Sequence, residues 1–158
     1  MYHIGQCVTH PMHGAGTISG MIEQRPDGHP KMYYVLTLMK GGLQLYVPCD
    51  GCEKAGLRPV ITRQEADLLL QSFAALETES GGNWNQRYRD NMDRLKSGQP
   101  GQVAVVIKSL LQREAQKHLS TGERKMLNTA LQILASELAL VIELDLAEAE
   151  AIVRSVLK

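Results

Sequence analysis

The sequence is poor in aromatic side chains and carries no net charge. Its 158 residues include one Trp, one Phe and five Tyr, so any hydrophobic core must be mostly aliphatic. The 17 Lys and Arg balance 17 Asp and Glu, an average that by itself argues against nucleic acid as a partner. A hydrophobic fraction of 44% and a charged fraction of 22% indicate a folded chain rather than a disordered one.

Long apolar runs and an even set of cysteines are also missing. No apolar run approaches the ~20 residues of a membrane-spanning helix. The first residues, MYHIGQCV, lack the charged and apolar regions of a signal peptide. Cys7, Cys49 and Cys52 are odd in number, which argues against a secreted disulfide framework. We therefore expect a cytoplasmic protein without a membrane partner.

The charges that are present are unevenly distributed. Residues 81–125 contain nine Lys and Arg against four Asp and Glu, a net charge of +5. Residues 127–158 contain two basic and five acidic side chains, a net charge of −3. The basic middle of the chain therefore has the charge that a nucleic-acid surface needs, although the average hides it.

The first 60 residues have the pattern of short β-strands. Apolar runs separated by turn residues predict strands at 3–9, 16–24, 32–39 and 42–48. Turns are predicted at 11–14 and 26–28, and the pair Gly41-Gly42 is a candidate two-residue hairpin. Short strands joined by tight turns favour a small antiparallel β-barrel.

After residue 60 the apolar period becomes helical. Helix starts are predicted by capping boxes at 62–65 and 120–123 and by caps at Asn83 and Asp145. Polar, glycine-rich residues 77–82 suggest a linker. The predicted class is α+β, with a small antiparallel β-barrel at 1–60 and an all-α helical domain at 61–158.

Two short motifs contain metal-binding residue types. Cys49 and Cys52 form a C-x-x-C pair that can bind a metal ion or act in redox chemistry, but zinc takes about four ligands. Cys7, His10 and His13 could complete the set only if the fold brings them together. We interpret the cysteines as packing residues and 10–14 as a turn. No motif indicates catalysis, so neither an enzyme nor a cofactor is predicted.

Trp84 is the most informative single residue, and two interpretations of it stay open. It begins a helical stripe that continues through Tyr88, Met92 and Leu95, which is typical of a core-facing side chain. It also stands at a helix start beside Arg87 and Arg89. An aromatic ring next to basic residues can stack on bases or wedge between them while the cations contact phosphates.

Several stretches resemble the CarD/CdnL family of bacterial transcription regulators. In the first half they are HPMHGAG at 10–16, YYVL at 33–36, VP at 47–48 and GLRPV at 56–60. In the second half they are NWNQRYR at 83–89, LKSG at 95–98, LSTGERKML at 119–127 and QILASELA at 132–139. The matches keep their order and span nearly the whole chain, so the resemblance is specific.

The resemblance implies a Tudor-like barrel that binds the β subunit of RNA polymerase. Polymerase-contacting positions of relatives fall on Gln24 and Tyr46, with Arg25 adjacent. It also implies a helical domain that contacts promoter DNA at the upstream edge of the transcription bubble and stabilises the open complex. There the residue matching Trp84 would be a minor-groove wedge. Side chains that would hold the DNA backbone are Arg87, Arg89 and Arg124, with Lys125 as a neighbouring candidate.

Two other functions stay open at this point. One is a protein–protein adaptor whose helices never touch DNA. The other is a metal or redox protein that uses Cys49 and Cys52. A monomer is the expected state in each case.

Overall fold

The computed structural model describes residues 1–78 and 82–158. The strands are β1 (Cys7–His10), β2 (Gly14–Gln24), β3 (Lys31–Leu38), β4 (Gln44–Pro48) and β5 (Arg58–Pro59). The helices are α1 (Arg63–Ser72), α2 (Trp84–Lys96), α3 (Pro100–Gln116), α4 (Thr121–Ile142) and α5 (Leu146–Leu157). A 3₁₀ turn at Phe73–Ala75 follows α1. Strands come first and helices second, which confirms the α+β class.

The five strands form one antiparallel sheet in the order β4-β3-β2-β1-β5. A register shift between Ile18 and Gly20 makes a bulge in β2 where it pairs with β3. The sheet is open, because the pairings among the described strands end at β4 on one side and β5 on the other, and this arrangement is consistent with the Tudor-like fold predicted for residues 1–60. Residues 49–57 form turns instead of a strand, and β5 is only two residues long and pairs with β1.

Three local features of the sheet differ from the prediction. The first strand begins at Cys7 instead of His3, because residues 3–6 form a turn in which the Gln6 amide donates to the His3 carbonyl at 3.1 Å. The predicted Gly41-Gly42 hairpin is a longer loop, closed by a hydrogen bond from the Leu38 amide to the Leu43 carbonyl at 2.7 Å. The short strand β5 has no counterpart among the predicted strands.

Helix starts follow the predicted caps. The capping boxes headed by Thr62, Ser120 and Asp145 all form, and the Asn83 side chain accepts from the Gln86 amide at 2.9 Å. The first helix ends at Ser72, where the chain tightens into the 3₁₀ turn. Of the predicted linker 77–82, residues 79–81 lie outside the described residues.

Each half of the chain has its own apolar cluster. The sheet cluster contains Tyr2, Val8, Ile18, Tyr34, Leu36, Leu38, Val47, Cys52 and Leu57. The largest fully buried side chains of the helical cluster are Phe73, Leu95, Ile107, Leu110, Leu127, Leu131, Leu134 and Leu138. Both are mostly aliphatic, as the composition predicts. The domain boundary predicted at 60–61 falls between β5 and α1, and the independence of the two domains stays a prediction.

The central helix α4 is the most buried of the helices. Contrary to the sequence-based expectation, it is long and apolar enough to cross a membrane by length and composition. However, 67% of its apolar stretch is buried inside the protein, which is typical of a core helix. We therefore interpret its hydrophobicity as packing against the sheet and the other helices.

A buried ion pair joins the sheet to α4. Arg58 makes a bidentate contact with the Glu137 carboxylate, in which Nη1 donates to Oε2 at 2.7 Å and Nη2 donates to Oε1 at 2.9 Å. Glu137 is 2% exposed. Its Oε2 also accepts from the Ile61 amide at 2.9 Å, and Arg58 donates to the Gly98 carbonyl. The carboxylate therefore has the charge partner and the hydrogen bonds that burial demands.

Gly14 brings the sheet backbone against the same helix. The Ala15 amide donates to Ser136 Oγ at 2.9 Å, and Gln132 Nε2 donates to the His13 carbonyl at 2.9 Å. Gly14 has φ +89°, and a Cβ there would lie 2.5 Å from Gln132 Nε2. Only glycine permits this approach, so the turn at 11–14 is also a docking point for α4.

The cysteines belong to the sheet. Cys52 is buried in the sheet cluster, and Cys49 packs against it. All three thiols are free. Burial is the main cause that raises the pKa of Cys49, which keeps it a thiol, whereas metal ligands and nucleophiles need the thiolate.

The Arg58–Glu137 pair should contribute far more to stability than an exposed pair. Arg58→Ala leaves a buried carboxylate without its partner, and we expect it to lower the free energy of unfolding by about 3 kcal/mol. The matched control is Arg63→Ala, which removes an exposed pair to Asp67 at 3.8 Å and should lose less than about 1 kcal/mol. Urea denaturation measures both, and equal losses would contradict the prediction.

The cysteines should be replaceable. Cys49→Ala with Cys52→Val should keep the fold and lower the free energy of unfolding by about 1 kcal/mol through repacking. Denaturation and metal analysis of both proteins test this. Stoichiometric zinc in the native protein, lost in the variant together with folding, would show that the packing interpretation is wrong.

Candidate nucleic-acid and partner-binding surfaces

Trp84 lies at the first turn of α2, on the surface, where it contacts the start of α4. Its side chain remains 41% exposed, so it is not a core residue. Its ring stacks on Tyr88, with centroids 5.0 Å apart and an interplanar angle of 20°. Its Nε1 donates to Ser120 Oγ at 3.2 Å. The N-termini of α2 and α4 therefore meet at this indole.

The helical stripe that begins at Trp84 runs from the surface into the core. Tyr88 and Met92 are partly buried against the helical cluster, and Leu95 is fully buried within it. The two interpretations of Trp84 are thus compatible. The later residues of the stripe pack α2 against the helical cluster, and Trp84 at its start remains on the surface. Tyr88 supports the exposed ring from one side.

The basic residues predicted for DNA lie on the two helices that meet at Trp84. Arg89 on α2 and Arg124 and Lys125 near the start of α4 are exposed. Arg87 is half-buried, and its Nη1 donates to the Gly82 carbonyl at 3.1 Å, so it points back toward the start of its helix. Two helix N-termini add partial positive charge and free amide groups at the same place.

A small cavity of about 120 Å³ lies beside α2, facing α3. Its charged lining has both signs, with Arg87, Arg94 and Arg113 against Asp90 and Glu123. Arg113 Nε is 3.3 Å from Glu123 Oε2, which is a buried carboxylate of the α4 capping box. This pair was not predicted, because the sequence alone does not bring α3 and the α4 cap together.

The predicted polymerase-binding residues lie at the β2–β3–β4 side of the sheet. Tyr46 on β4 is 51% exposed and pairs with Val35, and Gln24 at the end of β2 pairs with Lys31. Because residues 31 and 35 are an even number apart on one strand, Gln24 and Tyr46 share a face. Arg25 is exposed beside them, 3.6 Å from Glu23.

This surface combines an apolar face with an unpaired edge. Tyr33 lies on the same face as Tyr46. The Nζ atom of Lys31 is 5.8 Å from the centroid of the Tyr33 ring. On its other side, β4 pairs with none of the described strands. Sequence reasoning missed Lys31 and Tyr33, because their place beside Gln24 depends on the register of β2 and β3.

The histidine motif is a turn. The φ of Met12 is +70° and that of Gly14 is +89°, and the His10 ring lies 4.9 Å from that of His13. Burial is the main cause that lowers the pKa of His10. Within residues 1–78 and 82–158 no group of three or more His, Cys, Asp or Glu side chains could hold a metal ion.

The comparisons with known proteins cover both halves of the chain. The family model of the CarD-like/TRCF RID domain matches residues 2–61, and that of the CarD C-terminal domain matches residues 68–154. The candidate transcription factor YdeB of Bacillus subtilis (strain 168) is 30% identical over 141 residues. That match covers 89% of this chain and 92% of YdeB.

These matches assign both the sheet and the helices to one family. The first domain type implies an interaction with RNA polymerase in general. The full-length relative implies a role in transcription. The chain belongs to the CarD-like family of transcription regulators.

Proposed function

We propose that this protein is a non-enzymatic adaptor that binds the β subunit of RNA polymerase with its sheet and promoter DNA with the ends of α2 and α4. It acts in the cytoplasm as a monomer and needs no cofactor. The observation that carries the proposal is Trp84, an exposed aromatic ring held where the N-termini of two helices meet, on helices that also carry exposed basic side chains.

The charge and shape of this surface suit DNA better than a protein partner. Arg89, Arg124 and Lys125 can contact phosphates on either side of the ring. Such contacts are independent of sequence and weaken as salt rises. A projecting ring can enter a base step, which on intact duplex costs a few kcal/mol of unstacking. At the upstream edge of the bubble the step is already distorted, so part of this cost is avoided.

The polymerase contact makes the weak DNA contact effective. The edge of β4 offers unpaired N–H and C=O groups to a strand of the β subunit, and Tyr46, Gln24 and Arg25 supply side-chain contacts. Once the sheet is bound, the helices experience a high effective concentration of upstream DNA. The adaptor then favours the open complex because it contacts that state better than the closed one.

Both other functions make different predictions. An adaptor that never touches DNA would not bind DNA in isolation, whereas the proposed surface binds it weakly and loses that binding as salt rises. A metal or redox protein would use Cys49 and Cys52 as ligands or as a redox pair, whereas in the structure Cys52 is buried in the sheet cluster and Cys49 packs against it. The variant with Cys49→Ala and Cys52→Val tests the metal or redox function, and Trp84→Ala tests the DNA contact.

Trp84→Ala should lower stability only modestly but shorten the lifetime of the open promoter complex strongly. Because the side chain is 41% exposed, we expect its removal to lower the free energy of unfolding by about 1–2 kcal/mol, below the ~3–5 kcal/mol typical of a buried Trp. The lifetime of the open promoter complex should nevertheless fall about tenfold, equivalent to 1.4 kcal/mol. Thermal melting and open-complex lifetimes on one promoter measure the two effects.

Leu68→Ala is the matched control for Trp84→Ala. Leu68 is an exposed apolar side chain on α1, and its removal should leave the lifetime unchanged. Trp84→Phe should retain part of the effect, since ring area matters more than the indole N–H in stacking. A Trp84→Ala protein that melts far lower yet supports a normal lifetime would show that Trp84 is only a packing residue.

The sheet surface can be tested without DNA. Arg25→Glu combined with Tyr46→Ala should weaken binding to the isolated β-subunit lobe at least tenfold, because one change reverses a charge and the other removes an exposed ring beside the edge. Arg63→Glu makes the same charge reversal on α1 and should leave the affinity unchanged. Unchanged affinity in the double variant would show that the polymerase surface lies elsewhere.

A further inference from the structure

We propose that Ser120 is a positioning residue for Trp84, which holds the indole N–H at the N-cap of α4 so that only the ring is presented to DNA. The inference rests on the proposed DNA contact of Trp84. It assigns a role to Ser120, which is neither one of the residues implied by the family resemblance nor one of the basic residues predicted for DNA.

The hydroxyl of Ser120 uses its full hydrogen-bonding capacity. Its Oγ donates to Glu123 Oε1 at 3.1 Å and accepts from the Glu123 amide at 3.2 Å. The Trp84 Nε1–H is the second donor to the same oxygen, at 3.2 Å. A hydroxyl has one proton and two lone pairs, so these three contacts saturate it. The indole therefore completes the capping box instead of lying loosely beside it.

The capping box is itself fixed by the core of the bundle. Glu123 is buried, and its Oε2 lies 3.3 Å from Arg113 Nε on α3. A series of contacts therefore links Arg113 to Glu123, Glu123 to Ser120, and Ser120 to Trp84. An exposed side chain is thus tied to a buried ion pair, which limits the motion that a half-exposed Trp would otherwise have.

The ring itself is held as well. Tyr88 stacks on one side, and a Cβ on Gly122 would lie 3.6 Å from both the Trp84 and Tyr88 rings. The backbone of the first turn of α4 therefore lies close to both aromatic rings. Together with the hydrogen bond to Ser120, these contacts preorganise the indole before DNA arrives, which reduces the entropy lost on binding.

The hydrogen bond has a consequence for specificity. While Nε1–H is donated to Ser120, it is not available to the acceptors of the minor groove. Recognition at this step then depends on stacking and shape, which every base pair can satisfy, instead of on a hydrogen bond to one base. The structure thus assigns Trp84 a wedge role with little dependence on base identity.

The first test uses the free protein, in which Trp84 is the only tryptophan of the sequence. Ser120→Ala should shift the fluorescence emission to longer wavelength and increase quenching by acrylamide, because the indole is released. Asp145→Ala is the matched control, since it removes another capping box without contacting Trp84. Its emission should equal that of the native protein. Identical emission and quenching in Ser120→Ala and native protein would overturn the proposal.

The second test is a double-mutant cycle on open-complex lifetime. Ser120→Ala should shorten the lifetime about threefold, the size expected for one net hydrogen bond, while Asp145→Ala should not. In the Trp84→Phe background, which has no N–H, Ser120→Ala should have no further effect. Ser120→Thr keeps the hydroxyl and should restore the native lifetime. Equal shortening by Ser120→Ala in both backgrounds would show that the cap, and not the indole contact, is responsible.

The two tests separate this inference from the proposed function. If Trp84→Ala leaves the open-complex lifetime unchanged, Trp84 has no role at DNA, and the proposed independence of base identity is also wrong. The fluorescence result still decides on its own whether Ser120 holds the indole. If Trp84→Ala shortens the lifetime and the cycle is additive, only the role of Ser120 fails.

Discussion

Glu137 is a carboxylate at the centre of α4 that is almost fully buried, and it accepts from Arg58 on the short strand β5 and from the backbone just before α1. Such a charge is tolerated only with a partner and several hydrogen bonds. The ion pair therefore fixes where β5 lies, and β5 in turn pairs with β1 at one end of the sheet. Gly14, docked on Ser136 and Gln132, holds the β1–β2 turn on the same stretch of helix.

The same helix connects the two proposed binding surfaces. Ser120 at its start contacts Trp84, and Glu137 in its middle contacts the sheet, about 25 Å away at 1.5 Å per residue. A packed helix transmits position without bending much. The sheet proposed to bind polymerase and the indole are thus both in contact with one helix, which suits a protein proposed to bring a weak DNA contact to a defined place on a larger complex.

Electrostatics supports the same arrangement. The net charge of zero conceals a basic segment at 81–125 and an acidic one at 127–158. Arg89, Arg124 and Lys125 are exposed on α2 and near the start of α4, the two helices whose N-termini meet at Trp84. Arg87 and Arg113 also make contacts within the protein, to the Gly82 carbonyl and to Glu123.

The sequence by itself determined what depends on neighbouring residues: the change from strands to helices near residue 60, the caps at Thr62, Asn83, Ser120 and Asp145, and the stripe from Trp84 to Leu95. These features follow from hydrogen bonds and periodicities within a few positions. Only the tertiary structure decided that the sheet is open, that Gln24 and Tyr46 share a face, and that Trp84 remains exposed. The contacts that decide them join residues 36 positions apart, as in Trp84–Ser120, or 79 apart, as in Arg58–Glu137. Such pairings depend on strand register and helix packing, which no local pattern encodes.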